Sequence, residues 1–218
     1  IKKAKDLIKL LMNFSLGQLA QGDGGACIET MFPSVMASTE NSAIQAIDPN
    51  QKFGNSGILN SKSINSKPTI NYSLYFENVD TATALAQTVI ITDTVDYTSL
   101  DLSTLQLTSF GFADTIISIP PGKKSYTTDI DLQPNLPLIA RVTAYLNDST
   151  HVLTAKYESL DPLTMKPTED ALLGFLLPND STGRGEGFIS YSIKANDSIA
   201  TGTIINNMAT IYFDENPP

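Results

Sequence analysis

From residue 69 onward the apolar residues recur at every second position, and that period constrains the fold more than any other feature of the chain. In "INYSLYFENV", Ile70, Tyr72, Leu74 and Phe76 fall on one face, with Asn71, Ser73, Tyr75 and Glu77 opposite. A period of two belongs to a strand with one buried face, because successive side chains leave a pleated backbone on opposite sides. "QTVIITDTV" follows, rich in β-branched residues, then "STLQLTSFGF" and "TIISIP", closed by the turn "PPGKK". "LPLIARVTAYL" alternates again through Leu138, Ala140, Val142, Ala144 and Leu146, and "HVLTAKYESL" returns from the turn "NDST" as its hairpin partner. "GFISYSIK" and "GTIINNMATIYF" complete the pattern. Roughly eight or nine strands with turn signals between most of them make an all-β sandwich the expected fold. Phe76, Val89, Ile91, Val142, Ile189, Tyr191, Ile205, Ile211 and Phe213 are its expected core, each on an apolar strand run.

The preceding segment follows other rules. Residues 1–20 read as an amphipathic helix, with Ile1, Ala4, Ile8, Leu11 and Ser15 on one face and Leu7, Leu10 and Phe14 beside it. Packing against an upstream region accounts for it better than a membrane-surface role, which the lysines fit but the lack of tryptophan does not. Residues 21–68 are poor in charge and rich in Ser, Asn, Gly and Ala, and read as a linker or as a strap across the sandwich. The sandwich itself is assigned to residues 69–218. The closing "IYFDENPP" reads as a seam between modules, its prolines opening a stiff linker.

Composition excludes several classes. The 218 residues carry 14 basic and 23 acidic side chains, a net charge of -9, which repels nucleic acid and anionic lipid. No stretch of about 18 apolar residues is present to insert in a membrane. One cysteine, Cys27, and one histidine, His151, exclude a disulfide within the chain and a cysteine-based zinc cluster. Their spacing does not favour a Cys27–His151 nucleophile pair. Cys27 reads as a small buried hydrophobe, or as the partner of a cysteine outside this stretch.

Four motifs occur in order: "AIDPNQKFG", "INYSLYFENVDTATALAQTVIITDTVDYTSLDLSTLQL", "SLDPLTMKPTEDALLGFLLPND" and "GRGEGFISYSIKANDSIATGTIINNMATIYFDENPP". Together, over residues 46–218, they resemble a conserved-repeat β-sandwich module of large bacterial surface and secreted proteins, many from Bacteroidetes with type IX secretion. The family's opening Asp-Pro-Asn-Asp-Lys is here Asp48-Pro49-Asn50-Gln51-Lys52, with an amide in place of one acid. The closing Phe-Asp-x-Asn-x-Pro is present. The resemblance implies an immunoglobulin-like sandwich in a bacterial extracellular protein and implies no reaction, since a fold does not fix a function.

Three polar groupings could carry chemistry. Asp48, Asn50, Asp214 and Asn216 stand at the two ends of the domain, and hard oxygen donors of this kind suit calcium, although Asx-turns before Pro explain them better. Asp161, Glu169, Asp170, Asn179, Asp180 and Glu186 crowd into the tract between two strands, a second calcium candidate whose spacing is unlike an EF-hand. An ordinary solvated acidic loop is the alternative. Paired carboxylates also serve glycoside hydrolysis, but the chain has no Trp to line a sugar cleft. The third is an intramolecular isopeptide crosslink, with Lys52 as amine, Asn206 or Asn207 as amide and Glu77 as the assisting carboxylate. Asp-Ser/Thr sequons resembling those of Bacteroidetes O-glycosylation place Ser149, Ser181 and Ser198 in loops.

The expected role is therefore a non-catalytic spacer module of a cell-surface or secreted protein, whose partners are neighbouring domains of the same protein. An adhesin that recognises glycan or protein through its loops, with calcium as the one cofactor to consider, is the competing expectation.

Overall fold

The computed structural model describes residues 50–54, 69–200, 202–214 and 216. The expected helix over 1–20, Cys27 and Asp48 lie outside the described residues. Among the described residues, ten strands form two sheets in which every paired neighbour is antiparallel. The first sheet contains β1 (Gln51–Phe53), β2 (Ile70–Glu77), β9 (Glu186–Ala195), β4 (Leu100–Phe112) and β5 (Thr115–Ser118), in that order. The second contains β10 (Ala209–Phe213), β3 (Thr88–Thr94), β8 (Val152–Leu160), β7 (Ile139–Asn147) and β6 (Ser125–Asp131). The strap thus contributes a strand, β1, at the edge of the first sheet.

The alternation read from the sequence sets the register. Ile70, Tyr72, Leu74 and Phe76 are all buried, and opposite them on β9 stand Ile193, Tyr191, Ile189 and Gly187. Gly187 leaves room for Phe76: a methyl there would lie 2.8 Å from Cε1 of that ring and closer still to Cε2 and Cζ. Leu138, Ala140, Val142, Ala144 and Leu146 are buried on and before β7. The alanines of β7 and β8 are small where aromatic rings fill the layer, so large and small side chains interdigitate.

Tyr157 of β8 is the centre of that layer. It is wholly buried, with its ring 5.0 Å from Phe76, 6.3 Å from Phe110 and Phe112, and stacked at 5.8 Å on Phe175. Burying one such ring stabilises the fold by roughly 1.5–3 kcal/mol before the geometry of the ring pairs is counted. Its hydroxyl donates to the carbonyl of Phe188 on β9 at 2.8 Å, so a residue of the second sheet is bonded to the backbone of the first.

Six of the nine expected core residues are buried. Ile205, Ile211 and Phe213 instead pack half-buried against the core. The reason is position: β10 is an edge strand, and residues 202–208 before it are irregular rather than a continuation of it. The tract between β8 and β9 is not a free acidic loop. Phe175 and Leu176 are buried, the Phe175 amide donates to Ser159 Oγ at 2.9 Å, and Leu176 bridges to Ala86. Asn78 fixes the same region by donating from Nδ2 to the carbonyls of Ala84 and Leu176.

Candidate functional site

Asp93 continues the inward face of Val89 and Ile91 on β3 and is completely buried. A carboxylate on an apolar face is costly unless paired, and Lys52 pairs it. Lys52 enters from β1, opposite Leu74, and its ammonium forms an ion pair with Asp93 Oδ2, with side-chain exposures of 10% and 0%. Lys52 Nζ also donates to the Tyr191 hydroxyl at 3.1 Å, and Tyr191 donates to Asp93 Oδ2 at 2.8 Å. Asn207, two residues before β10, donates from Nδ2 to the same hydroxyl at 3.1 Å. A phenolic oxygen has one proton to give and two lone pairs to offer, and Tyr191 uses all three.

The walls are aromatic. Lys52 Nζ lies 4.7 Å from the centroid of the Tyr72 ring and 5.5 Å from that of Tyr191, and the two rings are 5.2 Å apart. Burial pulls the Lys52 amine down to about 8, and the charge and hydrogen bond of Asp93 only partly offset that. Tyr191 is pushed well up, by burial first and by the neighbouring Asp93 charge second. Tyr72 is raised by burial as well. At an effective dielectric constant of 20, opposite charges about 4 Å apart attract by about 4 kcal/mol, while desolvation costs several kcal/mol per ion. The pair thus does little better than break even as a source of stability.

Two polar atoms of this cluster remain without a partner. Asp93 Oδ1 and Asn207 Oδ1 are buried and accept no hydrogen bond. Orphaned oxygens of this kind are rare in a folded interior and call for a cause. A groove of about 210 Å³ reaches Lys52 from outside, between β1 and Ala209, Thr210 and Ile211 of β10. It is smaller than the roughly 300–1,000 Å³ usual for small-molecule sites.

The crosslink reading from sequence is thus recomposed. Lys52 and Asn207 are brought to one oxygen, whereas Asn206 is exposed and Glu77 accepts from Asn179 Nδ2 at 2.6 Å. Asp93 stands where Glu77 was expected. Val89, Ile91, Asp93 and Val95 follow the period of two and all four are buried, so the one sequence sign of it is an acid in step with an apolar face.

Most of the calcium candidates hold backbone amides. Asp214 Oδ1 accepts the amides of Gln87 and Thr88, at 2.9 and 2.8 Å. Asp161 Oδ1 accepts those of Leu163 and Thr164, and Asp170 Oδ1 that of Leu172. Asp180 binds Thr182 through its amide and hydroxyl and pairs with Arg184. Asn179 Oδ1 accepts from Gly185, while Glu186 opens β9 opposite Glu77. Asn50, Glu169 and Asn216 are exposed. Among the described residues no three His, Cys, Asp or Glu side chains form a group able to hold a metal ion. Ser149, Ser181 and Ser198 are exposed in turns, and the His151 ring rests 4.2 Å from that of Tyr97.

Fold and site together define an all-β, two-sheet module with a largely buried polar cluster joining its sheets. The chain belongs to the family described as a domain of unknown function, DUF7619, whose model matches residues 48–119 and 168–218. The unmatched interval holds β6, β7 and β8, while Lys52, Asp93, Tyr191 and Asn207 all fall inside the matched segments. No curated protein and no solved structure matches the chain.

Proposed function

We propose that this chain is a structural spacer module, an immunoglobulin-like sandwich within a larger bacterial cell-surface or secreted protein, and that it turns over no external substrate. One observation carries the reading: the polar and ionisable side chains around Asp93 face inward and tie sheet to sheet, and the groove that reaches Lys52 is smaller than usual small-molecule sites. The acids elsewhere accept backbone amides, Asp161, Asp170 and Asp180 in their own turns and Asp214 at the start of β3, which favours a rigid surface over a ligand-gathering one. Neighbouring domains of the same protein are its partners in this reading. Exposed Ser149, Ser181 and Ser198 are the positions for O-linked glycan on the exported protein.

Two measurements test it. Protease shaving of intact source cells, followed by peptide mapping, is expected to release peptides of this chain; their recovery only after lysis would place the protein inside the cell and end the proposal. The full chain on a glycan array is expected to give no saturable signal. Saturable binding abolished by substitutions in the loops would establish an adhesin instead.

A further inference from the structure

We propose that Lys52 and Asn207 react with each other to form an intramolecular isopeptide bond that joins β1 to the segment leading into β10, with Asp93 as the proton carrier. The inference stands on the geometry of the cluster and does not depend on the spacer reading.

The reacting groups are already assembled. Lys52 Nζ and Asn207 Nδ2 both bond to the Tyr191 hydroxyl at 3.1 Å, so amine and amide lie within two hydrogen bonds of each other. Asp93 touches Nζ, is completely buried, and has a free Oδ1. Little of the site meets water: Lys52 is 10% exposed, under the Tyr72 ring, at the inner end of the groove beside β10. An amine is a nucleophile only when unprotonated, and burial pulls Lys52 down to about 8, which puts the neutral form within reach near neutral pH.

The step balances without a cofactor. A proton passes from the Lys52 ammonium to Asp93, leaving a neutral amine and a carboxylic acid. Nζ attacks Asn207 Cγ, and the Asp93 acid supports the oxyanion that develops on Asn207 Oδ1. Asp93 next relays one amine proton to Nδ2, the Cγ–Nδ2 bond breaks, and ammonia leaves as neutral NH3 while the last proton stays on Asp93. One C–N bond forms, one C–N bond breaks, and nothing is oxidised or reduced. The product explains the cluster's two anomalies. A buried ammonium becomes a neutral amide, and Asp93 is left as an acid with an O–H to donate, the donor that the two orphaned oxygens lack. Tyr191 is a positioning residue, holding nucleophile and leaving group on one oxygen.

Intact mass spectrometry of the full 218-residue chain, purified and incubated to completion, decides the matter. The expected mass is that of the sequence less one ammonia, with a branched peptide in the digest linking Lys52 to Asn207. Lys52→Arg and Asn207→Ala are each expected to keep their full sequence mass. Asp93→Asn, with circular dichroism confirming its sheets, is expected to keep both residues and remain unlinked. A wild-type chain at its full sequence mass overturns the proposal. So does an ammonia loss that persists in Lys52→Arg, since that loss would come from another asparagine. A folded Asp93→Asn that links as fast as wild type overturns the role of Asp93.

Discussion

The Tyr191 hydroxyl on β9 donates to the Asp93 carboxylate on β3 at 2.8 Å, and so binds one sheet to the other through the middle of the sandwich. Tyr157 makes the reciprocal tie, from the second sheet to the Phe188 carbonyl of the first, also at 2.8 Å. Each sheet thus sends one phenol across the apolar layer, and each phenol ends on an acceptor that would otherwise be costly to bury.

Removing Asp93 strands its partners. In the unlinked Asn207→Ala background, Asp93→Ala leaves the Lys52 ammonium and the Tyr191 hydroxyl without their shared acceptor, and loss of one member of a buried pair costs about 3–5 kcal/mol. Chemical denaturation should show a drop of that size. A loss below about 1 kcal/mol would mean that Lys52 swings out into solvent.

The stability of the unlinked chain should depend on pH in a defined direction. Lys52 is lowered from 10.5 to about 8 in the folded state. Below that value it is charged in both states; between about 8 and 10.5 the unfolded chain binds more protons, so stability rises with pH, by at most about 3 kcal/mol. Tyr72, Tyr157 and Tyr191 are raised by burial, so from about pH 10 upward unfolding releases phenolic protons and stability falls. Asn207→Ala, which cannot form the bond, should show the rise and then the fall. In the linked wild type Lys52 no longer titrates and the rise should be missing.

The period of two made β2 and β7 legible down to their inward residues, because strands packed on one face expose their pattern directly. Asp93 was harder to see, since an acid on an apolar face reads as an interruption until its partner is known, and Lys52 lies 41 positions away in a three-residue strand. The half-burial of Ile211 and Phe213 was hidden for a related reason: strand order is set by long-range pairing, and sequence alternation does not distinguish an edge from a centre. Phe175 and Leu176 did leave a sign, the apolar run "GFLLP" inside an acidic tract.

Gly187 should tolerate no side chain. Gly187→Ala drives a methyl into the Phe76 ring, which is held by Tyr157 and Phe213 and cannot move cheaply. The expected cost is roughly 1–3 kcal/mol, at the upper end, measured by thermal or urea unfolding. A neutral outcome would show that Phe76 has another rotamer open to it.

Chelation should leave the melting temperature unchanged, because Asp161, Asp170, Asp180 and Asp214 each commit an oxygen to backbone amides. Differential scanning calorimetry with excess chelator, and then with millimolar calcium, checks this. A rise of several degrees with calcium would reinstate a metal at these loops.

If the bond forms, its thermodynamic effect should be large. Closing a loop of roughly 150 residues removes chain entropy worth on the order of 5 kcal/mol from the unfolded state, treated as for a disulfide of that span. Asn207→Ala should therefore unfold at a clearly lower denaturant concentration than wild type, and equal midpoints would contradict a formed crosslink.

Lys52 sits on one edge strand and Asn207 just before another. β1 is held by three pairings, at Gln51, Lys52 and Phe53, and β10 by five along β3. A tensile load applied through these edge strands would strip them off one pair at a time, since each hangs on a single neighbour. With Lys52 and Asn207 joined, the pull would run from one strand to the other across the narrow gap between the sheets. The eight strands between would bear none of it, and the sandwich would behave under load as an inextensible link.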